Sequence, residues 1–155
     1  MDSGRQVTWI PSYGPEMRGG TANCTVIVSD ELIGAPIVAR PDIAVVLNQP
    51  SFDKYEGLVQ PDGLLVVNSS IVGARSARTD IEAVYVPAND VAAELGTVKM
   101  LNVAALGALL ARRPLLPPAA VEQAIRQHLP ADKVHLVESN LRVLQRGFQY
   151  TLLTE

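Results

Sequence analysis

Cysteine, histidine and aromatic residues are scarce in this chain of 155 residues. A single cysteine, Cys24, excludes a disulfide framework, a cysteine-held iron–sulfur cluster and a cysteine-built zinc site within the chain. Two histidines, His128 and His135, leave little for a histidine metal site and read as solvated residues near helix ends. No apolar run is long enough to cross a membrane, because Asp42, Lys99 and Asn102 interrupt the best candidates. The opening MDSGRQV has no apolar segment behind its arginine, so no signal peptide is expected and a cytoplasmic location follows. With no basic run and a net charge of -3, nucleic acid is not an expected partner. Charged residues make up 19%, below the roughly 25% of ordinary soluble domains. Either the solvent-facing surface is thin in charge, or part of it faces another protein.

What remains is apolar and punctuated. Val7–Ile10 is a short apolar stretch ended by Pro11, and 12–20 (SYGPEMRGG) is too rich in glycine and proline for regular structure. Thr21–Ser29 reads as a strand, 30–34 as a turn and Ala35–Val38 as a short extended piece; together they suggest an antiparallel hairpin at a sheet edge. Three continuous apolar runs follow: Ile43–Leu47, Leu64–Val67 and Ile81–Val86. They alternate with helical segments beginning near Ser51 and spanning Ala88–Leu95. Short strands without a polar face, interleaved with helices, predict a parallel sheet covered on both sides, an α/β fold. The last third is helical. Val98–Ala111 is apolar on nearly every side, which predicts burial around its circumference. Pro118–Leu129 carries a stripe at Val121, Ala124, Ile125 and Leu129. A last helix, capped by Asp132, has its stripe at Val134, Val137, Leu141 and Leu144 and is expected to end at Gly147.

Residues able to do chemistry concentrate in two places. In Tyr13–Cys24 (YGPEMRGGTANC), Arg18 has the planar fork that grips a carboxylate or phosphate, and the amides around Gly19-Gly20 can form an anion nest. The same residues equally make a structural turn closed by a Glu16–Arg18 pair. Neither a phosphate loop nor a dinucleotide fingerprint is present. Asn48-Gln49 and Asn68-Ser69-Ser70 each follow a strand, where open α/β sheets bind ligands, although such residues also close Asx and ST turns. Cys24 reads as a small buried hydrophobe, Phe52, Tyr55 and Tyr85 as packing residues, and Tyr150 as part of a tail. No triad order, paired-carboxylate spacing or metal signature appears.

Specific wording in the sequence adds more than its periodicity does. WIPSYGPEMRGGTANCTVIVSD (9–30), PDIAVVLNQPSFDKYE (41–56), PDGLLVVNSS (61–70), YVPANDVAAELG (85–96) and NVAALGALL (102–110) closely resemble the gamma subunit or domain of 2-oxoacid:ferredoxin oxidoreductases, the family that acts on pyruvate, ketoisovalerate and 2-oxoglutarate. The resemblance implies a Rossmann-like gamma domain over residues 1–155, not catalytic alone. It implies alpha, beta and ferredoxin-like delta subunits as partners, with ferredoxin as the acceptor of the complex. The complex would use thiamine diphosphate, Mg²⁺, [4Fe–4S] clusters and coenzyme A, none of them bound by this chain alone. Tyr13, Gly14, Pro15, Glu16, Arg18, Gly19, Gly20 and Asn23 are then expected at the cofactor or subunit contact, and Asn48, Gln49, Asn68 and Ser69 in the strand-end crevice. The competing reading is a free α/β domain that holds a small anion or nucleotide at the same crevice. Family members begin earlier, with a strand, a GxGGQG turn and a helix. Counterparts ahead of Met1 are missing here, so an N-terminally truncated domain is the expectation.

Overall fold

The computed structural model describes residues 4–13, 22–95 and 97–153, which fall into two compact units, Met1–Arg40 and Pro41–Glu155.

In the first unit, β1 (Gln6–Tyr13) and β2 (Ala22–Ser29) pair antiparallel from Gln6↔Ser29 to Tyr13↔Ala22. The two strands form a sheet of their own. The hairpin partner of β2 is therefore β1, and Ala35–Val38 is in no strand. Pro36 supplies no N–H to a ladder, which is a sufficient reason. Pro11 does not end β1. It lies inside the strand opposite Cys24, as proline can where its nitrogen faces the open side of a ribbon. Cross-strand pairing puts Val7, Trp9 and Pro11 on one face with Val28, Val26 and Cys24. Trp9 is 61% exposed and Val26 55%. Cys24 is exposed rather than buried, on the same face of the ribbon as Trp9 and Val26.

In the second unit, β3 (Ile43–Val46), β4 (Leu64–Asn68) and β5 (Glu82–Val86) form a parallel sheet in the order β3-β4-β5. β4 is buried along its whole length, which is why its sequence shows no alternation. Leu64 and Val66 point to one face, where they meet Val86, Ala92, Ala104 and Val143. Leu65 and Val67 point to the other and meet Phe52, Val59 and Val72. Burying each of these side chains contributes about 1.5–3 kcal/mol. Helix α1 (Gln49–Tyr55) covers the second face through Phe52. Helices α2 (Ala88–Glu94), α3 (Leu101–Arg112) and α5 (Val137–Leu153) cover the first. Helix α4 (Pro118–His128) packs Val121 against Leu110 and Leu144. The α/β fold with helices on both faces is the one the sequence predicts.

The helical third departs from expectation in two ways. Val98–Lys99 belongs to a 3₁₀ turn that leads into α3, and Val98, Lys99, Asn102 and Leu106 are exposed. The helix is buried on a wide face, not around its circumference. In addition, α5 does not stop at Gly147 but runs to Leu153, and it starts at Val137 after a 3₁₀ segment, Ala131–Leu136, which Asp132 does not cap. Tyr150 consequently packs against the core rather than trailing as a tail. Gly147 serves a different purpose. A Cβ there would stand 2.1 Å from the carbonyl oxygen of Ala104, and a Cβ on Gly107 would stand 2.2 Å from that of Leu144. The two glycines let the backbones of α3 and α5 touch, closer than ordinary ridges and grooves allow.

Alanine at either position should force these helices apart. We expect Gly147→Ala and Gly107→Ala each to cost at least about 1–3 kcal/mol of stability in urea denaturation. Gly57→Ala, at a site with nothing within 4 Å of the added carbon, should melt like the parent. Equal midpoints for all three variants would contradict the close crossing.

Candidate functional site

The C-terminal ends of β3, β4 and β5 lie side by side, and Asn68 ties them together. It is wholly buried. Its Nδ2 donates to Asn89 Oδ1 at 2.8 Å and to the Leu47 carbonyl at 3.4 Å. Its Oδ1 accepts from the Ala88 amide at 3.1 Å and the Ser70 amide at 3.4 Å. One side chain thus joins the end of β3, the turn after β4 and the start of α2, and its hydrogen-bonding capacity is used inside the chain. Ser70 Oγ accepts from the Asn89 amide at 3.2 Å and donates to Asp90 Oδ2 at 3.0 Å. Ser70 belongs to the Asn68-Ser69-Ser70 run singled out in the sequence, whereas Asn89 is not among the residues expected at the site. Both are polar residues three positions past the last valine of an apolar run, Val67 of β4 and Val86 of β5.

Asn48 is the N-cap of α1, accepting from the Ser51 amide at 2.9 Å, with Pro50 in the first turn. Gln49 bonds Asp53 one turn on, at 2.7 Å on the exposed side of α1. The Ser69 amide donates to the Val86 carbonyl at 2.9 Å, extending the β4–β5 ladder, and its residue lines a hollow beside β5. The structure therefore brings Asn48, Asn68 and Ser69 to one sheet end, with Gln49 beside Asn48 as the half-buried first residue of α1. Tyr13 ends β1 opposite Ala22, and Asn23 stands in β2 opposite Ser12. Gly14, Pro15, Glu16, Arg18, Gly19 and Gly20 lie outside the described residues, in the segment that joins β1 to β2.

The charged side chains of the described residues are mostly braces. Arg78 donates from Nε and Nη2, one edge of its guanidinium, to the two carboxylate oxygens of Asp80 at 2.9 and 2.6 Å, and from Nη1 to the carbonyls of Glu56 and Val59. Asp80 is held below the ordinary carboxylate value by its hydrogen bond to Arg78, and the Arg78 pKa is raised by the same contact. Glu82 lies between Arg112 and Arg113, the latter at 2.7 Å. Asp62, Asp80, Glu82 and Arg113 line a hollow of about 320 Å³ at the N-terminal end of β5. A second hollow, of about 400 Å³, runs along β5 with Ser69, Arg75 and Tyr150 among its walls. Among the described residues no group of three histidine, cysteine or carboxylate side chains is placed to hold a metal ion. None of the described helices is long and apolar enough to cross a membrane. One cysteine cannot supply four thiolates, so the chain does not fit a [4Fe–4S] cluster.

Residues 1–150 match the family described as pyruvate ferredoxin/flavodoxin oxidoreductase. Ketoisovalerate oxidoreductase subunit VorA of Methanothermobacter marburgensis is 37% identical over 145 residues, covering 93% of this chain. This chain spans only 30% of that protein's length. 2-Oxoglutarate synthase subunit KorC of Methanocaldococcus jannaschii is 31% identical over 140 residues, which cover 89% of this chain and 73% of that one. Among solved structures, the gamma subunit of a keto/oxoacid ferredoxin oxidoreductase from Geobacter sulfurreducens superposes with a TM-score of 0.80 at 29% identity, covering 99% of this chain and 84% of that one.

Two substitutions probe the sheet end and its brace. Asn68→Leu keeps the volume but strands the Ala88 amide and the Leu47 carbonyl, and we expect a loss of about 2–4 kcal/mol in urea melts. Gln49→Ala, which removes only the side-chain bond to Asp53, should stay within about 0.5 kcal/mol of the parent. A carboxyl whose pKa is depressed by folding stabilises above its unfolded value, and that contribution is lost as pH falls through its folded value. Asp80→Asn should therefore flatten the acid limb of the stability–pH profile below about pH 4. An unchanged acid limb would remove Asp80 from that account.

Proposed function

The chain belongs to the pyruvate ferredoxin/flavodoxin oxidoreductase family, and on that premise we propose that it is the gamma part of a 2-oxoacid:ferredoxin oxidoreductase. The reaction is oxidative decarboxylation of a 2-oxoacid, with the acyl group passing to coenzyme A and the electrons to ferredoxin. The partners are alpha, beta and ferredoxin-like delta subunits, and the assembly is cytoplasmic. Thiamine diphosphate with Mg²⁺ and the [4Fe–4S] clusters, all on other subunits, supply carbanion chemistry and an electron path. This chain's share is assembly and the coenzyme A side of the active site. The observation that carries the reading is identity of 31–37% to VorA and KorC over about nine-tenths of the chain.

Physical features favour a subunit over a free binding domain. An isolated two-stranded ribbon is marginal in water, and this one turns an apolar face outward at Trp9, Val26 and Val28. Its loop carries Arg18, whose fork suits the phosphates or carboxylates of a coenzyme or a partner. Asn48, Asn68 and Ser69 hold the sheet end in shape, so their contribution to the active site is positional.

The test is co-purification of the tagged chain from extract of its own organism. We expect a thiamine-diphosphate protein and brown iron–sulfur subunits in the eluate, together with coenzyme-A-dependent 2-oxoacid oxidation. A clean monomer, with full activity in fractions that lack it, would refute the reading. Within the assembly, Arg18→Lys should raise the KM for coenzyme A while leaving assembly intact, because lysine cannot reproduce the planar fork. Unchanged KM and turnover would return Arg18 to the role of a surface residue.

A further inference from the structure

β5 is an edge strand, and its open side carries a specific hydrogen-bonding pattern. The Glu82 amide donates to the Gly63 carbonyl, and the Ser69 amide to the Val86 carbonyl. In a parallel ladder these two bonds fix the phase: Glu82, Val84 and Val86 turn their backbone groups toward β4, and Ala83 and Tyr85 turn theirs away. Among the described residues no strand pairs with β5 on that side. Among the described residues the outward amides of Ala83 and Tyr85 have no partner. The residues 82–86, EAVYV, contain no proline, lysine or bulge, the devices that ordinarily blunt an exposed edge.

The edge also has walls. The hollow of about 400 Å³ lies along it, bounded by Arg75 and Ser69 and by Tyr150 and Thr151 of α5. The Arg75 guanidinium lies 3.9 Å from the centre of the Tyr85 ring. Stacking fixes its plane and leaves its N–H edges for a ligand. Arg75 is exposed, and no carboxylate pairs with it among the described residues. Glu82, which also lines this hollow at the start of β5, is by contrast held between Arg112 and Arg113.

We infer that the open edge of β5 is where an extended, acidic segment of a partner subunit adds as a further strand, with an aspartate or glutamate of that segment on Arg75. Two outward amides about 6.8 Å apart match the acceptor spacing of another strand, whereas a compact anion reaches only one of them together with the arginine. Strand addition supplies affinity through the main chain and selectivity through the side-chain contacts. The unpaired guanidinium is what selects acid. This inference rests on the subunit reading above.

The experiment is amide hydrogen exchange read at single residues by mass spectrometry, on the full chain alone and in the assembly purified from its own organism. Alone, Ala83 and Tyr85 should exchange fast while Val84 is protected. In the assembly both should slow by about a hundredfold or more. Ala83→Pro removes only an outward amide, so the β4–β5 ladder keeps its bonds, and Arg75→Glu reverses the selecting charge. Each variant should lose co-purifying partner and show no slowing at Tyr85. Ala83 and Tyr85 exchanging equally fast in an intact assembly would overturn the inference while leaving the subunit reading in place. Loss of partner in Arg75→Glu without protection of those amides in the parent would overturn it in favour of a bound small anion. Protection in the isolated chain that rises with its concentration would overturn it in favour of a second copy. A chain that co-purifies with nothing would overturn the subunit reading and this inference together. If Ala83→Pro fails to fold, the parent exchange data and Arg75→Glu decide the matter.

Discussion

The contact between α3 and α5 through Gly107 and Gly147 fixes most of what the second unit can be. Each glycine sits against backbone carbonyl of the facing helix, so the helix axes cannot separate without opening voids around Ala104, Ala105 and Val143. Those residues floor the layer that covers Leu64 and Val66 of the sheet. The same contact carries α5 past Gly147 and brings Tyr150 and Thr151 beside β5, where they wall the second hollow. Thr151, buried, bonds back to the Gly147 carbonyl at 3.2 Å, which spares its hydroxyl the cost of burial unpaired. Small side chains at one helix crossing thus position both the core and the groove outside it.

The sequence reveals the sheet readily because β4 has no polar face and its neighbours nearly none. Three apolar runs of strand length, separated by helical patterns, leave few alternatives. Asn48 with Pro50 identifies the start of α1 in the same way, since a cap and an N-terminal proline act locally. Gly147 is ambiguous because absence of a Cβ serves two purposes, a left-handed helix end and a close backbone approach. The continuing apolar positions Leu141, Leu144 and Phe148 on both sides of Gly147 were the signal that the helix goes on. Asn68 is hidden for a related reason. An asparagine after a strand looks the same whether it meets a ligand or bonds three segments of its own chain, and only the fold brings Leu47, Ala88 and Asn89 to it.

The polar residues divide by what they face. Asn68, Ser70, Arg78 and Glu82 are satisfied by neighbours in the chain and hold turns or helix starts in place. The ribbon face at Trp9 and Val26 offers apolar area outward, and the Arg75 side of β5 offers a charged group. One cysteine cannot supply the four thiolates of a [4Fe–4S] cluster, and the polar side chains described above hold turns and helix starts. Family membership gives that character its meaning, since a redox enzyme divided among subunits can place all its electron carriers on other chains.

The claim that this chain is a necessary, non-redox part of a larger oxidoreductase is tested most directly by reconstitution. The remaining subunits, prepared without this chain, are titrated with it while 2-oxoacid- and coenzyme-A-dependent reduction of ferredoxin is followed. The account predicts negligible rate at the start, a rise with added chain, and saturation at a fixed ratio to the thiamine-binding subunit. Cluster absorbance should stay constant throughout. Full activity before any chain is added, or a rise that never saturates, would contradict it.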